Sequence, residues 1–545
     1  MMHAPLSIAR VLEHGRRWNA TREVITDLGD GTRRRTSFAD VAARATRLSF
    51  GLAGLGVAGD QRVGTFMWNN QEHLEAYLGV PAMGAVLHTA NIRLFPDQVA
   101  FTINAAQDEV MIVDGSLAES FADLMPMLTT VRVVVLNGHA DPALFADYDV
   151  TVVSYDDVLA GHPVEREWPE FDEQSAASIC YTTGTTGNPK GVAYSHRSIL
   201  MQSMSSATMN ALRIGSDDVA LIVVPMFHAT AWGYPYSAFW FGADMVLLDR
   251  FLSPKTIASA VKEERVTFGN GVPTVWADVL RVVRSDPDAD LSSLQRVVIG
   301  GAAVTTSLLE AYDQVGAPIL QGWGMTETSP LVSAARTLPG ATPEQASLQR
   351  LSQGRVLAGV DIRLVEPESG EVLPNDGVAV GEFELRGPWI SGAYLDGAGV
   401  DSFRDGWLRT GDVGTLDADG YVRLVDRAKD VIKSGGEWIS SVELEDVLLR
   451  HDDVEEVSVI GVPDGRWDER PLALVVPRSG AVIDADLLRD FLVGRVARWW
   501  IPERWVIVEQ LPRTSVGKYD KKRMRASYQA AEFEVLTGQK SLRRD

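Results

Sequence analysis

Tyr181–Gly191 reads YTTGTTGNPKG, eleven residues that hold four threonines, three glycines and one lysine. Such a loop exposes backbone N–H groups and small hydroxyls, which lets a chain approach a phosphate closely. It is not a Walker loop, where lysine directly follows the second glycine and a helix starts: Lys190 stands three positions after Gly187, and Pro189 intervenes. The apolar run SIC, ending at Cys180, leads into the loop and reads as a buried strand. Cys180 is then a strand residue rather than a nucleophile, since nothing nearby supplies a base.

Outward from this loop, the first 330 or so residues alternate short apolar runs with longer helical patterns, which points to doubly wound α/β sheets. RVGTFMW (Arg62–Trp68) reads as a strand, Gln71–Met83 as a helix and EVMIVD, ending at Asp114, as another buried strand. VRVVVL near Val131, VTFGNGV near Val266 and QRVVIGG near Val297 repeat the theme. Val219–Ala243 carries no Asp, Glu, Lys or Arg and is long enough to cross a bilayer. Pro225, Gly233, Pro235 and Gly242 break it, so it reads as a strand, a loop and a buried helix.

A chain of 545 residues exceeds what one hydrophobic core supports, so more than one domain is expected. Its 46% apolar and 23% charged residues are ordinary for a globular protein, and a formal charge of −22 argues against nucleic acid or anionic membrane as partners. A single cysteine excludes an internal disulfide framework and any cysteine-based zinc site, which suits a cytoplasmic location. The N-terminal residues MMHAPLSIARVLEHGRRW do not read as a signal peptide.

After about residue 355 the texture changes. Asp361–Val365, Gly381–Arg386 and Tyr421–Asp426 are short alternating strands, with Asp419-Gly420 as a hairpin turn. Beyond Asp430, Ser440-Ser441-Val442-Glu443 looks like a capping box, VEEVSVIGVP and ALVVPR like strands, and LLRDFLVGRVARW like one amphipathic helix. The expected organisation is a large domain over 1–426 with a β-rich subdomain at about 355–426, a hinge at 427–431 and a small α/β domain over 432–545. On composition alone VDRAKD, Val425–Asp430, is a charged surface turn.

Four further stretches share the character of the first: GWGMTET (Gly322–Thr328), GWLRTGDVG (Gly406–Gly414), DRAKDVIKSGGEWIS (Asp426–Ser440) and LPRTSVGK (Leu511–Lys518). Singly, each is glycine-rich loop or solvated charge. In this order and spacing the five together resemble the adenylate-forming superfamily of acyl-CoA synthetases, adenylation domains and firefly-type luciferases, from about residue 30 to residue 530. PMFHATAWG (Pro225–Gly233) and IKSGGEWISSVELE (Ile432–Glu445) narrow the resemblance to bacterial medium- and long-chain fatty acyl-CoA synthetases.

The resemblance implies two half-reactions. A carboxylate attacks the α-phosphate of ATP to give an acyl-adenylate and pyrophosphate, and the thiol of coenzyme A then displaces AMP. The first brings two anions together, and a unit-charge contact at about 4 Å is worth roughly 4 kcal/mol at an effective dielectric near 20. Thr182, Thr183, Gly184, Thr185, Thr186 and Gly187 would hold the outer phosphates with help from Lys190. Thr182 and Glu327 would hold a magnesium ion, which prefers oxygen ligands. Lys518 would reach between the substrate carboxylate and the α-phosphate.

Gly300, Gly301, Gln321, Gly322, Trp323 and Thr326 resemble the adenylate site, where most relatives carry tyrosine at position 323 and its ring stacks on the base. Asp412 would accept from the ribose hydroxyls and Arg427 would support sugar and phosphate. Lys429 falls at the family's hinge position, so the turn that composition left bland becomes the pivot on which the small domain exchanges its Lys518 face for Ser434–Glu437. Gly435 and Gly436 would let the pantetheine arm pass, flanked by Lys433 and Trp438.

His228 and Trp232 correspond to the carboxylate neighbour and the gate of the acyl tunnel. Amino-acid-activating relatives place an aspartate in this motif, and Phe227-His228-Ala229-Thr230 has none. A medium- to long-chain fatty acid is therefore the first expectation, and a short sulfur-containing or aromatic acid the alternative. An acyl-AMP ligase loading a carrier protein is less favoured, because Gly387–Val425 shows no surplus insertion and no carrier segment follows. Some relatives are homodimers through the large domain, and the same assembly is expected here.

Overall fold

The computed structural model describes residues 2, 4–182, 188–427, 430–434, 437–514 and 519–537, with only the backbone at 437 and 438. Three sheets organise it. The first has seven strands, in the order Thr151–Ser154, Val133–Asn137, Val110–Asp114, Arg62–Phe66, Val86–Thr89, Ala176–Thr182 and Lys190–Ser195. All neighbours are parallel except the last pair, which forms an antiparallel hairpin with Thr182 opposite Lys190. Thr182 and Lys190, the described residues on either side of 183–187, therefore face each other across this hairpin. Cys180 lies in it, buried beside the Thr89 hydroxyl, and burial pushes its thiol up to about 11. That is the strand residue, not a nucleophile, expected from the sequence.

The second sheet has fourteen strands. Its parallel part runs through Asp244–Leu247, Val219–Leu221, Phe268–Gly271, Arg296–Ile299 and Ile319–Gly324. At Ile319–Gly324 the direction changes: the next neighbour, Leu331–Ala334, is antiparallel, with a register shift between Trp323 and Gly324. The sheet continues through Gly354–Val356, Tyr421–Arg427, Trp407–Leu416, Gly381–Arg386 and Asp361–Val365. The β-rich region is thus hydrogen-bonded onto the second sheet rather than free-standing. Gly420, at φ +84, makes the turn between Trp407–Leu416 and Tyr421–Arg427, a conformation that costs glycine little.

Helices Phe38–Gly54, Gln71–Ala82, His196–Ala207 and Tyr234–Phe241 pack between the two sheets in one shared core. Gln71–Ala82 is buried at every position, and Asn70 caps it by accepting from the His73 N–H at 3.0 Å. Each large apolar side chain in such a core contributes about 1.5–3 kcal/mol. The charge-free stretch 219–243 divides as expected into a strand, a loop and helix Tyr234–Phe241. Among the described residues no helix is long and apolar enough to cross a membrane.

The third sheet uses only strands beyond Val431, among them Ile432–Ser434, Val454–Asp464, Asp468–Pro477 and Arg504–Ile507. Helix Ser441–Leu448 covers it, its N-terminus capped by Ser440, whose hydroxyl accepts from the Glu443 N–H at 3.1 Å. The amphipathic helix expected to run to Trp499 is shorter: Ala485–Leu492 ends where Gly494 turns at φ +74.

Candidate active site

A cavity of about 1530 Å³ opens where the carboxyl ends of the two large sheets and the C-terminal region meet. Thr182, Lys190, Glu327, Trp323 and Arg427 line it together with Gly300 and Gly301, although these residues are far apart in sequence. Parallel strands aim their carboxyl ends at one crevice, which is where α/β sheets place ligands.

Trp323 is 5% exposed and leans on Phe383, ring centroids 5.4 Å apart. Its indole N–H donates to Asp412 Oδ2 at 2.8 Å, while Arg427 Nε stands 2.9 Å from Asp412 Oδ1. Both oxygens of this buried carboxylate are therefore oriented by the protein, and Asp412 lies behind Trp323 and Gly411 without itself lining the cavity. Asp412, followed by Glu327, Asp430 and Asp426, holds the Arg427 guanidinium above its ordinary value, although the side chain is partly open to solvent. Gln321 departs from the expectation: its amide donates to the Arg350 carbonyl at 2.8 Å, and its side chain does not reach the cavity wall.

Glu327 is 5% exposed, and its Oε1 accepts a short hydrogen bond from the Tyr394 hydroxyl. The neighbouring Thr326 carbonyl accepts from Tyr194 at 2.7 Å, which ties this turn to the strand after the phosphate-type loop. Glu327 Oε2 and the Thr182 hydroxyl are hard oxygen donors on the same cavity, and they fit magnesium. Among the described residues no three His, Cys, Asp or Glu side chains converge, so a magnesium ion here would draw its other ligands from phosphate and water.

The turn that carries His228 and Trp232 is built on an unusual backbone. Ala229, Thr230, Ala231, Trp232 and Gly233 all have φ between +44 and +76. Left-handed conformation costs about 1–2 kcal/mol for each non-glycine residue and persists only where the surroundings over-determine it. Here Ala229, Thr230 and Ala231 are buried, and the turn delivers the Trp232 ring against Gly300. A Cβ at Gly300 would stand 3.3 Å from that ring and 2.8 Å from the Gly322 carbonyl. His228 precedes the turn and also lines the cavity.

From the C-terminal region, Arg513, Thr514 and Tyr519–Lys522 line the cavity, whereas Lys433 is exposed and does not. The segment on either side of Lys518 thus faces the cleft. Thr183, Gly184, Thr185, Thr186, Gly187, Lys429, Gly435, Gly436 and Lys518 lie outside the described residues, as does the Trp438 side chain. Charged side chains at 426 and 430 are paired with residues further along the chain. Asp426 accepts from the Ser441 N–H at 3.1 Å and from its hydroxyl, Lys521 reaches Ser441 and, at 2.9 Å, Glu445, and Arg525 meets Asp430 at 2.6 Å.

Among the cavity residues that escaped the sequence reading are Tyr394 and Arg93. Arg93 lies 5.7 Å over the Phe227 ring. Neither stands in one of the five motifs that carried the resemblance, although Tyr394 lies among Gly392, Gly397 and Gly399.

The chain belongs to the AMP-binding enzyme family, whose main model matches residues 12–395 and whose C-terminal-domain model matches residues 443–518. Within that family it is an AMP-forming acyl-CoA ligase. It is 41% identical over 542 residues to a 3-methylmercaptopropionyl-CoA ligase of Ruegeria pomeroyi, with 99% of each chain covered. It is 38% identical over 532 residues to a medium-chain-fatty-acid–CoA ligase of Ectopseudomonas oleovorans, with 97% of each covered. An anthranilate CoA ligase solved with anthranoyl-AMP shares the fold, with TM-score 0.86 at 24% identity over 97% of this chain and 99% of that one.

Proposed function

We propose that the enzyme joins a short, sulfur-containing carboxylic acid of the 3-methylmercaptopropionate kind to coenzyme A, through an acyl-adenylate and with release of AMP and pyrophosphate. The observation that carries this choice is the 41% identity, along the whole of both chains, to a ligase of that name. It reverses the first expectation from sequence, a medium- to long-chain fatty acid. That acid stays as the second reading, on the 38% likeness to a medium-chain ligase.

Thr182, Lys190 and the 183–187 loop grip the outer phosphates as a leaving group. Magnesium, held by Glu327 and Thr182, neutralises phosphate charge when bound. Trp323 receives adenine, Asp412 and Arg427 receive the ribose, and Lys518 draws the carboxylate onto the α-phosphate. His228 sits beside that carboxylate, and Trp232 bounds the acyl chain. Rotation at Lys429 then replaces the 513–522 face with the 433–438 face for thioester formation.

The test is AMP release with coenzyme A over acids of two to eighteen carbons, benzoate and 3-(methylthio)propionate. The sulfur acid is expected to give the highest kcat/KM. A tunnel open beyond Trp232 would instead raise kcat/KM about fourfold per methylene, from roughly 0.8 kcal/mol each, and a continued rise to decanoate would establish the fatty-acid reading. No thioester with any acid would sink both. Lys518→Ala should abolish adenylate formation and spare thioester formation from supplied acyl-AMP.

A further inference from the structure

Tyr394 touches two residues that the proposed function assigns to the nucleotide but that come from distant motifs. Its hydroxyl donates to Glu327 Oε1, and its ring face lies under the Lys190 ammonium, 4.9 Å from the centroid. Glu327 and Lys190 do not pair with each other, and among the described residues Lys190 has no carboxylate partner. A half-buried ammonium and a buried carboxylate that meet a common side chain attract one another unless something holds them apart. The tyrosine does so: it satisfies the carboxylate with a hydroxyl and the ammonium with a π-face.

Its own position is fixed from three sides. Phe403 meets the ring edge-on, centroids 5.6 Å apart. Gly399, at φ +60, passes so close that a Cβ there would stand 2.9 Å from the ring and 2.6 Å from Lys190 Nζ. The Ser391 N–H donates to the Glu327 carbonyl at 2.7 Å, so the segment leading to Tyr394 is pinned to the same turn.

We propose that Tyr394 is a positioning residue that keeps Glu327 and Lys190 separate and preorganised for a metal–triphosphate. The proposal rests on the reading of Glu327 as metal ligand and Lys190 as phosphate contact. It assigns a role to the β-rich region in the first half-reaction, with no part in the second.

The test compares Tyr394→Phe, which removes the hydroxyl and keeps the ring, with Tyr394→Leu, which removes both. Binding of Mn²⁺ with α,β-methylene-ATP, followed by electron paramagnetic resonance, should weaken about 10- to 150-fold in Tyr394→Phe, the scale of one charge-assisted hydrogen bond. AMP binding, and thioester formation from supplied acyl-AMP, should stay within about twofold of wild type. Tyr394→Leu should additionally weaken metal-free pyrophosphate binding, because Lys190 loses its support. Should Tyr394→Leu not fold, Phe403→Leu, which frees the ring edge, should show an attenuated form of the same pattern. Unchanged Mn²⁺–nucleotide affinity in Tyr394→Phe alongside a clear loss in Glu327→Gln overturns the role of Tyr394 alone. No loss in Glu327→Gln overturns the reading beneath it, and an equal fall in AMP binding shows a merely structural residue.

Discussion

Trp323→Phe separates two duties of one side chain. The substitution keeps an aromatic ring against Phe383 and removes the N–H that reaches Asp412 Oδ2 at 2.8 Å. Asp412 is 4% exposed, so this oxygen loses a donor where water has little access. A hydrogen bond to a charged group contributes about 1.5–3 kcal/mol, or roughly 10- to 150-fold in an equilibrium constant. Because Arg427 still holds the other oxygen at 2.9 Å, the expected loss of AMP affinity lies near the lower end, about tenfold. Calorimetry with AMP and 2′,3′-dideoxy-AMP distinguishes the mechanisms. If Trp323 sets the ribose acceptor, only AMP weakens, and a double-mutant cycle with Asp412→Asn gives a coupling of about 1–2 kcal/mol. An equal loss with both nucleotides, or none with either, would refute the assignment of Asp412 orientation to the indole.

Gly300→Ala places a methyl 2.8 Å from the Gly322 carbonyl and 3.3 Å from the Trp232 ring, so KM for the acid should rise several-fold while AMP affinity changes less; initial-rate kinetics over an acid series measure both. Ser441→Ala removes the hydroxyl linking Asp426 to Lys521, and it should slow adenylate formation without slowing thioester formation from supplied acyl-AMP; equal slowing in single-turnover assays would show that the link does not favour one orientation. Burial, with Asp114 close by, pushes the Asp249 carboxyl up to about 6. The folded state then binds this proton more tightly than the unfolded chain, so the associated stability is present below about pH 4 and lost as pH rises through about 6. Asp249→Asn, which also tolerates the φ of +49 there, should match wild type in melting temperature near pH 4 and exceed it above pH 7. A difference independent of pH would exclude titration of Asp249 as its cause.

What the sequence conveyed is what a short window can hold. The loop at 181–191, the turn at Gly420 and the buried strand at Cys180 each follow from neighbouring residues, and the five motifs together identified the family. The helix beginning at Ala485 was overextended because Val493, Val496 and Trp499 continue the apolar pattern, although Gly494, at φ +74, stops it. Gln321 was placed with its motif. Two residues back from Trp323 on the strand, it lies beneath helix Pro343–Leu351 instead of at the strand's end. Tyr394 and the Trp323–Asp412 bond were illegible for a different reason: their partners lie 67 and 89 residues away, brought near by a loop for Tyr394 and by the sheet for Asp412.

That register explains why the β-rich region is joined to the second sheet. The parallel strands end at the cleft with glycines, threonines and backbone N–H groups, which suit phosphate but provide few carboxylates. Reversal of direction at Ile319–Gly324 lets the same sheet curl back over its own edge. Through that return it supplies Asp412 beneath Trp323, Tyr394 against Glu327 and Arg427 between them. A free-standing subdomain would have to hold these side chains to within hydrogen-bond distance through loops alone. Continuous pairing from Ile319–Gly324 through Leu331–Ala334, Gly354–Val356 and Tyr421–Arg427 to Trp407–Leu416 fixes Asp412 and Arg427 by backbone hydrogen bonds, while Tyr394 rides on the loop that leaves Gly381–Arg386, the next strand of the same sheet. Substitutions that loosen the pairing of Gly354, whose Cβ would fall 2.1 Å from the Ala334 carbonyl carbon, should therefore impair nucleotide binding without touching a single cavity residue. Gly354→Ala, assayed by AMP calorimetry alongside thermal melting, should lose affinity beyond what its fall in melting temperature accounts for; AMP affinity equal to wild type in the folded variant would show that the return strands carry no positioning role.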